Sequence, residues 1–143
     1  MLIKQISIFV ENKKGRLAEI TRTLADHNID IRALSIADTT DYGILRLIVN
    51  NPEGAEKALT DSNMTFTLTE VIAIGIPDTP GGLASAVKIL SNNDVSIEYL
   101  YAFLDPRDNT AFVILRVEDN EKAIKVLKEH NVKLLEQSEV YTI

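Results

Sequence analysis

Apolar residues in the first half of the chain change their spacing in a set order. Aliphatic residues occupy every second position over 6–10, namely Ile6, Ile8 and Val10, which predicts a β-strand with one buried face. Over positions 17–24 the apolar residues recur every three or four residues, the spacing of an amphipathic helix. Two strand-like segments, a helix-like segment and a last strand-like segment follow, at 29–36, 43–49, 52–61 and 65–70. The predicted order is therefore βαββαβ.

The second half of the chain repeats the first. A shift of 66 residues aligns Gly15 with Gly81 and seven other identical pairs, and after a loop two residues longer a shift of 68 aligns seven more. Because the identities fall at apolar and turn positions, the second half is predicted to share the fold of the first. Its predicted strands are 72–76, 95–104, 111–117 and 133–142, and its predicted helices are 83–90 and 119–130. We call residues 1–70 the first module and residues 71–143 the second module.

An order of βαββαβ places two helices on one face of a four-stranded antiparallel sheet. The predicted fold class is therefore α+β, with a ferredoxin-like arrangement in each module. The other face of each sheet carries apolar residues on its third strand, namely Ile44, Ile48, Phe112 and Ile114. This content predicts that the face packs on the other module or on a second chain, and we expect a homodimer. No linker-like sequence separates the modules, so they are predicted to be rigidly coupled.

Composition and charge narrow the classes of function. The 143 residues include 15 Lys and Arg against 21 Asp and Glu, a net charge of −6. Both modules are acidic and neither has a basic run, which argues against nonspecific binding to nucleic acid or to an anionic membrane. The absence of cysteine excludes disulfides and is compatible with a reducing compartment, so a cytoplasmic location is expected. The apolar stretch at 6–10 is too short for a signal sequence or a membrane span.

Few residues offer catalytic chemistry. His27 and His130 lie near the ends of predicted helices, where an imidazole interacts favourably with the negative end of the helix dipole. No HExxH, GxSxG or P-loop spacing occurs, and most acidic residues fall in loops or on helix surfaces. The sequence therefore predicts a protein that is not an enzyme and that uses no metal or cofactor.

The turns between the first strand and first helix of each module share one chemistry. Asn12 stands three residues before Gly15, and Asp78 stands three residues before Gly81. A glycine lets the chain turn and lets a ligand approach its backbone, while the N–H groups that open a helix attract a carboxylate. Asn12 or Asp78 would then bind the other end of a small zwitterion. The alternative is that these two residues cap the helices and the glycines only turn the chain.

Two stretches of the sequence carry a family resemblance. E-N-K-K-G-R-L-A-E-I, followed by N-I-D-I-R-A-L, resembles the ACT domain, a small regulatory module that binds amino acids. P-D-T-P-G-G-L-A, followed by D-V-S-I-E-Y-L, resembles it a second time, so the resemblance covers essentially the whole chain. It implies an amino-acid effector held between the turn of one module and the second strand of its partner. It also implies a partner metabolic enzyme that the protein modulates.

Carried over by position, the resemblance assigns ligand contacts to both turns and to both second strands. These residues are Asn12, Gly15, Arg16, Leu17, Asp30, Asp78, Gly81, Gly82, Leu83 and Ser96. We expect the first turn to be the better carboxylate site, because Asn12 is neutral and has cationic neighbours, whereas Asp78 is an anion with no cation in its turn. Asp30 would pair with the ligand ammonium.

Three other functions fit parts of the sequence. A regulatory subunit could act by protein contact alone, with vestigial ligand sites. An RNA-recognition motif has the same element order, but the third strand lacks stacking aromatic residues and Gly75 stands in the repeat where Phe9 stands in the first module. A small acylphosphatase-like hydrolase needs an arginine-bearing phosphate cradle, and Arg16 is replaced by Gly82 in the repeat. Contact-only regulation is the main competitor of amino-acid binding.

Overall fold

A computed structural model describes residues 1–38, 41–104 and 107–142 of the chain. The alternating apolar residues at the start form β1 (Leu2–Glu11), in which Ile6 and Ile8 are fully buried. The other elements follow the predicted order until the end of the chain. They are α1 (Arg16–Asp26), β2 (Ile31–Asp38), β3 (Tyr42–Val49), α2 (Pro52–Asp61), β4 (Phe66–Pro77), α3 (Gly82–Asn92), β5 (Ile97–Ala102), β6 (Thr110–Val117), α4 (Asn120–Glu129), β7 (Lys133–Leu134) and α5 (Gln137–Thr142).

Two helices cover one face of the sheet in each module, as predicted. The start of α2 is set locally, because the Asn51 side chain accepts a hydrogen bond from the Gly54 N–H at 3.0 Å and Pro52 suits the first turn. The apolar stripes of the helices pack on the sheet in two cores. The first contains Ile6, Ile8, Ile20, Leu24, Leu45, Leu47 and Leu59, and the second contains Ile72, Ile74, Leu90, Leu115, Val117 and Leu127.

The strands of both modules form one sheet. Its order is β2-β3-β1-β4-β6-β5, and β7 pairs with β4 off this path. β4 crosses the predicted module boundary without a break: residues 66–72 pair with β1 and residues 72–77 pair with β6, all antiparallel. A strand that belongs to both modules leaves no hinge between them, which agrees with the missing linker in the sequence.

The seven-stranded sheet curls until its two edge strands meet. Ala33 of β2 forms a bridge with Phe103, and the N–H of Leu104 donates to the Arg32 carbonyl at 3.2 Å. The curl turns the faces without helices toward each other, so the prediction that one module packs on the other is confirmed. The shared core that results contains Ile3, Ala33, Ile48, Val71, Ala73, Tyr101, Phe103, Phe112, Ile114, Leu135 and Val140. Of the four apolar residues that predicted a homodimer, all but Ile44 are therefore already covered within the chain.

A polar network crosses this shared core. Gln5 of β1 is fully buried, its Nε2 donates to the Tyr99 hydroxyl at 2.8 Å, and its Oε1 accepts from the Tyr101 hydroxyl at 2.7 Å. The guanidinium carbon of Arg46 in β3 lies 3.8 Å from the centroid of the Tyr99 ring. Burial raises the pKa of the Tyr101 phenol, which keeps this group a hydrogen-bond donor. Because both tyrosines belong to β5, these contacts hold the second module against the first.

The last predicted strand, 133–142, is wrong. Only its first two residues form β7, and its second half forms the short helix α5. The reason is that residues 2–3 of β1 pair with residues 71–72 of β4 and so occupy the edge that a longer β7 would need. The chain turns away after Leu135, and α5 instead places Val140 in the shared core.

Candidate functional site

The turn between β1 and α1 ends in the glycine that begins the helix. Gly15 is the N-cap of α1 and has a φ of +89°, a left-handed conformation that residues with a side chain rarely adopt. Gly15 makes no side-chain cap, and the first N–H groups of an α-helix have no partner within the helix. The helix dipole adds partial positive charge at the same place. This turn therefore suits a carboxylate.

A surface cavity of about 330 Å³, which we call the first-turn cavity, lies beside this turn. It lies between the turn, the first residues of α1, and the neighbouring ends of β2 and β3. Its lining residues are Val10, Glu11, Asn12, Lys13, Gly15, Leu17, Ala18, Ile36, Asp38, Tyr42 and Gly43. β1 and β2 are both antiparallel to β3 and so run in the same direction, which brings their ends to one edge of the sheet. The volume is that of a small-ligand site.

The wall of the first-turn cavity carries both signs of charge. The Lys13 ammonium lies 2.8 Å from one carboxylate oxygen of Glu11, and the Arg16 guanidinium lies 3.9 Å from the other. The hydrogen bond and positive charge of Lys13, with a smaller contribution from Arg16, hold the pKa of Glu11 below its usual value. Asp38 adds a second carboxylate to the wall. A zwitterion would meet a partner for each of its charged ends.

The structure brings most, but not all, of the predicted first-turn residues to this cavity. Asn12, Gly15 and Leu17 line it. Arg16 does not belong to the wall, because its guanidinium pairs with Glu19 at 2.9 Å. The cationic character expected of this turn is therefore largely neutralised by neighbouring glutamates.

The second turn has the same backbone but a different surrounding. Gly81 is the N-cap of α3 with a φ of +91°. Gly82 has a structural role, because a Cβ at this position would collide with the carbonyl oxygen of Pro77. Gly82 also lines a separate cavity next to β7, whose walls do not include Asp78, Gly81 or Leu83. The second turn thus does not repeat the first-turn cavity.

The two predicted second-strand residues lie far from the turns of their own modules. Asp30 follows α1 and Ser96 follows the end of α3, and each of these 11-residue helices is about 16 Å long. The Asp30 carboxylate pairs with Arg32 at 3.1 Å, and Ser96 lines a polar cavity beside the start of α4. A site that combines the first turn with Asp30, as the resemblance implies, therefore needs a second copy of the chain.

Among the lining residues of the first-turn cavity that sequence reasoning missed are Ile36, Asp38 and Tyr42, which belong to β2 and β3. Ile36 and Asp38 lie near the end of β2, whereas the resemblance assigned the ligand contact to Asp30, just before its start. The signal that could have found them is strand direction. In a βαβ unit, parallel strands end at the edge where the helix begins, so the end of the second strand is the part that faces the turn.

The two histidines lie at the ends of helices. His27 and His130 are the C-cap residues of α1 and α4, and their Nδ1 atoms lie 2.8 Å from the Thr23 carbonyl and 2.9 Å from the Val126 carbonyl. Within residues 1–38, 41–104 and 107–142, no group of three or more His, Cys, Asp or Glu side chains could hold a metal ion. Over the same ranges, every helix is too short or too polar to cross a membrane.

Known proteins resemble this chain in sequence and in fold. The profile of a family described as an ACT domain pair matches residues 1–143. Protein BT0572 from Bacteroides thetaiotaomicron is 46% identical, with a TM-score of 0.94 over 100% of this chain and 98% of that chain. The ligand-free regulatory subunit of aspartate kinase from Thermus thermophilus is 16% identical, with a TM-score of 0.62 over 88% of this chain and 90% of that chain, and this likeness shows the fold alone. No curated protein matches the chain.

Proposed function

Because the chain belongs to the family of ACT domain pairs, which are regulatory modules, we propose that it is a non-catalytic regulator that binds an amino acid and modulates a partner metabolic enzyme. The observation that carries this proposal is the first-turn cavity, in which a helix N-terminus without a side-chain cap stands beside carboxylate side chains and apolar walls. An amino acid has a carboxylate, an ammonium and a side chain for these three features. The cysteine-free sequence agrees with a cytoplasmic protein.

The geometry favours one orientation of the ligand. Its carboxylate lies at the N–H groups that open α1, and its ammonium pairs with Asp38, a contact of the type that contributes about 1.5–3 kcal/mol. Its side chain lies between Leu17 and Ile36, which are 40% and 48% exposed in the chain alone. A bound ligand would cover this apolar surface. In a homodimer, Asp30 of a second copy is the alternative partner of the ammonium.

The edge of the sheet next to the cavity supports the homodimer. Over the described residues, β2 beyond Ala33 pairs with β3 on one side and with nothing on the other. Leu34 and Ile36 are exposed along this edge. A second copy that added its own β2 would cover both residues and satisfy the open backbone groups. The proposed dimer contact is therefore the free edge of β2, and not the apolar faces of β3 and β6 from which a dimer was first predicted.

Regulation then follows from differential binding. The first-turn cavity joins the N-terminus of α1 to the end of β2, so a bound amino acid ties the turn to the dimer edge. A partner enzyme that prefers one arrangement of this edge responds to the ligand, and the ligand responds to the enzyme by the same factor.

A screen of the twenty amino acids by thermal shift, followed by calorimetry, tests the proposal. At a concentration of about 100 times its Kd, a ligand stabilises the protein by about 2.7 kcal/mol. Gly15→Ala and Gly81→Ala form a matched pair, because both glycines have φ near +90° and no atom within 4 Å of an added Cβ. We expect Gly15→Ala to weaken binding about tenfold or more, since relief of the backbone strain turns the first N–H groups of α1 away from the ligand. Gly81→Ala should retain binding.

The opposite results have definite meanings. A loss of binding in Gly81→Ala with retention in Gly15→Ala assigns the ligand to the second turn. If none of the amino acids stabilises the protein, contact-only regulation replaces the proposal. Asp38→Asn and Asp30→Asn separate the two ammonium partners, because only the second effect should depend on dimer formation.

Sedimentation tests the dimer with a matched pair from the repeat. Leu34 in β2 and Leu100 in β5 occupy equivalent positions and are 38% and 36% exposed. We expect a dimer of the 15.9 kDa chain, lost in Leu34→Glu and kept in Leu100→Glu. A monomer at tens of micromolar protein, or equal effects of both substitutions, would contradict the assignment of the dimer to β2.

A further inference from the structure

A second cavity of about 410 Å³, which we call the β7 cavity, lies in the second module. It is a surface cavity that lies between the end of β4, the first turn of α3, and the segment that leads into β7. Ile76, Ala86 and Val132 supply apolar surface, while Ser85 and Asn131 supply polar groups. It shares no lining residue with the first-turn cavity, so a ligand of the β7 cavity is independent of the proposed amino-acid site.

The internal repeat shows which residues open the β7 cavity. Strand register establishes the equivalence, because Tyr42 lies opposite Glu11 in the first module as Thr110 lies opposite Pro77 in the second. At four equivalent positions the second module has the smaller residue. The pairs are Phe9 and Gly75, Arg16 and Gly82, Glu19 and Ser85, and Ile20 and Ala86.

In the first module two of these positions carry an ion pair and a third carries a large apolar residue. The Arg16 guanidinium bonds to Glu19 at 2.9 Å, and Ile20 is buried. The second module lacks both members of the ion pair and keeps the backbone that carried them. The β7 cavity is thus a property of one module, produced by the loss of side chains at positions that the other module fills.

The charge of the residues that line the β7 cavity indicates the charge of its ligand. Among the described residues, Lys133 is the only charged residue that lines the β7 cavity, and the first module has Thr65 at the equivalent position. Lys133 and Phe112 flank Gly75 of β4 from opposite sides, and the Lys133 ammonium lies 5.8 Å from the centroid of the Phe112 ring. An anion would find a partner here, whereas the ammonium of an amino acid would find no carboxylate among these lining residues.

We propose that the β7 cavity binds a small monocarboxylate that has an apolar body and no ammonium group. Lys133 pairs with the carboxylate, Ser85 donates a hydrogen bond from the rim, and the apolar body lies on Ile76 and Val132. The first-turn cavity, with charges of both signs, takes a zwitterion. The two modules therefore respond to two different classes of metabolite, an amino acid and a carboxylic acid without an amino group.

Three compounds with one carbon skeleton test this selectivity. The probe is 4-methylpentanoate, and the comparisons are the uncharged 4-methylpentanamide and leucine. Amide chemical shifts are followed by NMR on the full chain. We expect 4-methylpentanoate to shift the amides of Ser85, Thr110 and Val132, and the other two compounds to bind there about tenfold more weakly or worse. Absence of these shifts at saturating probe, or equal binding of the uncharged amide, overturns the proposal.

Variants identify the groups involved. Lys133→Gln should weaken the probe about tenfold, while Lys128→Gln, the same change on the exposed surface of α4, should have no effect. Ala86→Ile restores the residue of the first module and should abolish binding by filling the space. Because a larger residue at a buried position can disturb folding, Ser85→Glu at an exposed position provides a second block. Binding of the probe at undiminished affinity in Lys133→Gln or in Ser85→Glu refutes the site.

Discussion

Leucine in place of Gln5 removes the centre of the polar network that joins the two modules. The Gln5 side chain is fully buried and is hydrogen-bonded to Tyr99, Tyr101 and Ser7 at 2.8, 2.7 and 3.1 Å. Leucine has a similar volume but no polar atom. The substitution therefore leaves the Tyr101 hydroxyl without its acceptor in the shared core, where this tyrosine is only 7% exposed.

The structure sets the expected size of this effect. A buried hydroxyl without a partner costs about 1–3 kcal/mol. The Tyr99 and Ser7 hydroxyls lie in half-buried residues and can turn to water, so each adds less. We expect Gln5→Leu to lower the free energy of unfolding by about 2 kcal/mol. At about 3–4 °C per kcal/mol for a chain of this length, Tm falls by about 7 °C.

Urea unfolding of a double-mutant cycle measures the interaction. Tyr101→Phe removes the hydroxyl, so the variant with both Gln5→Leu and Tyr101→Phe has no unpaired phenol at that position. We expect this double variant to be at least about 1 kcal/mol more stable than the sum of the single effects predicts. Because β4 and the network couple the modules, unfolding should remain a single transition in all four proteins. The reasoning would be refuted if the two single effects on the free energy of unfolding added up to that of the double variant within about 0.5 kcal/mol. It would also be refuted if Gln5→Leu alone changed this free energy by less than about 0.5 kcal/mol.

Three further substitutions test local features by urea unfolding or titration. Gly82→Ala should cost about 3 kcal/mol, because its Cβ meets the backbone at Pro77, against about 1–2 kcal/mol of conformational strain in Gly15→Ala; equal losses would contradict the distinction. Lys13→Ala should raise the pKa of Glu11 toward its usual value, as read by NMR titration. Because the pKa of Glu11 is lowered by folding, the ion pair with Lys13 stabilises the protein above the unfolded pKa, and this contribution is lost as the pH falls through the folded pKa. A destabilisation by Lys13→Ala that grows toward acid pH would contradict this reasoning. Leu135→Ala should lower the free energy of unfolding by about 2–5 kcal/mol, because the side chain is 1% exposed in the shared core; a loss below about 1 kcal/mol would show that the segment between β7 and α5 packs only loosely on this core.

Most of the fold could be predicted because the spacing of apolar residues records which side of a segment is buried. The alternation at 6–10 and the helical spacing at 17–24 became β1 and α1 with Ile6, Ile8 and Leu24 inside. The repeat extended this assignment to the second module, and it placed Gly15 and Gly81 at equivalent turns, where both prove to be left-handed N-caps. The lack of a linker at the module boundary predicted the rigid coupling that β4 provides.

What covers each buried side depends on residues that are distant in sequence, and periodicity does not contain this information. Residues 133–142 look like a strand, but the start of β1 already holds the edge of β4 that they would need. The apolar faces of β3 and β6 predicted packing on the other module or on a second chain, and the curl of the sheet decides for the other module.

In the candidate site, too, the sequence reveals what neighbouring residues form, and only the folded chain reveals what distant residues add. Chemistry local to the first turn was visible in the spacing of Asn12 and Gly15, because a turn is made by consecutive residues. The walls of the cavity come from strands that meet the turn only in the folded chain, so Ile36 and Asp38 were missed and Asp30 was favoured. The β7 cavity depends on small residues from β4 and α3 that lie near Lys133, a residue 47 to 58 positions later in the chain. Folding alone brings such residues together, because the sheet sets their distance in space independently of their distance along the chain.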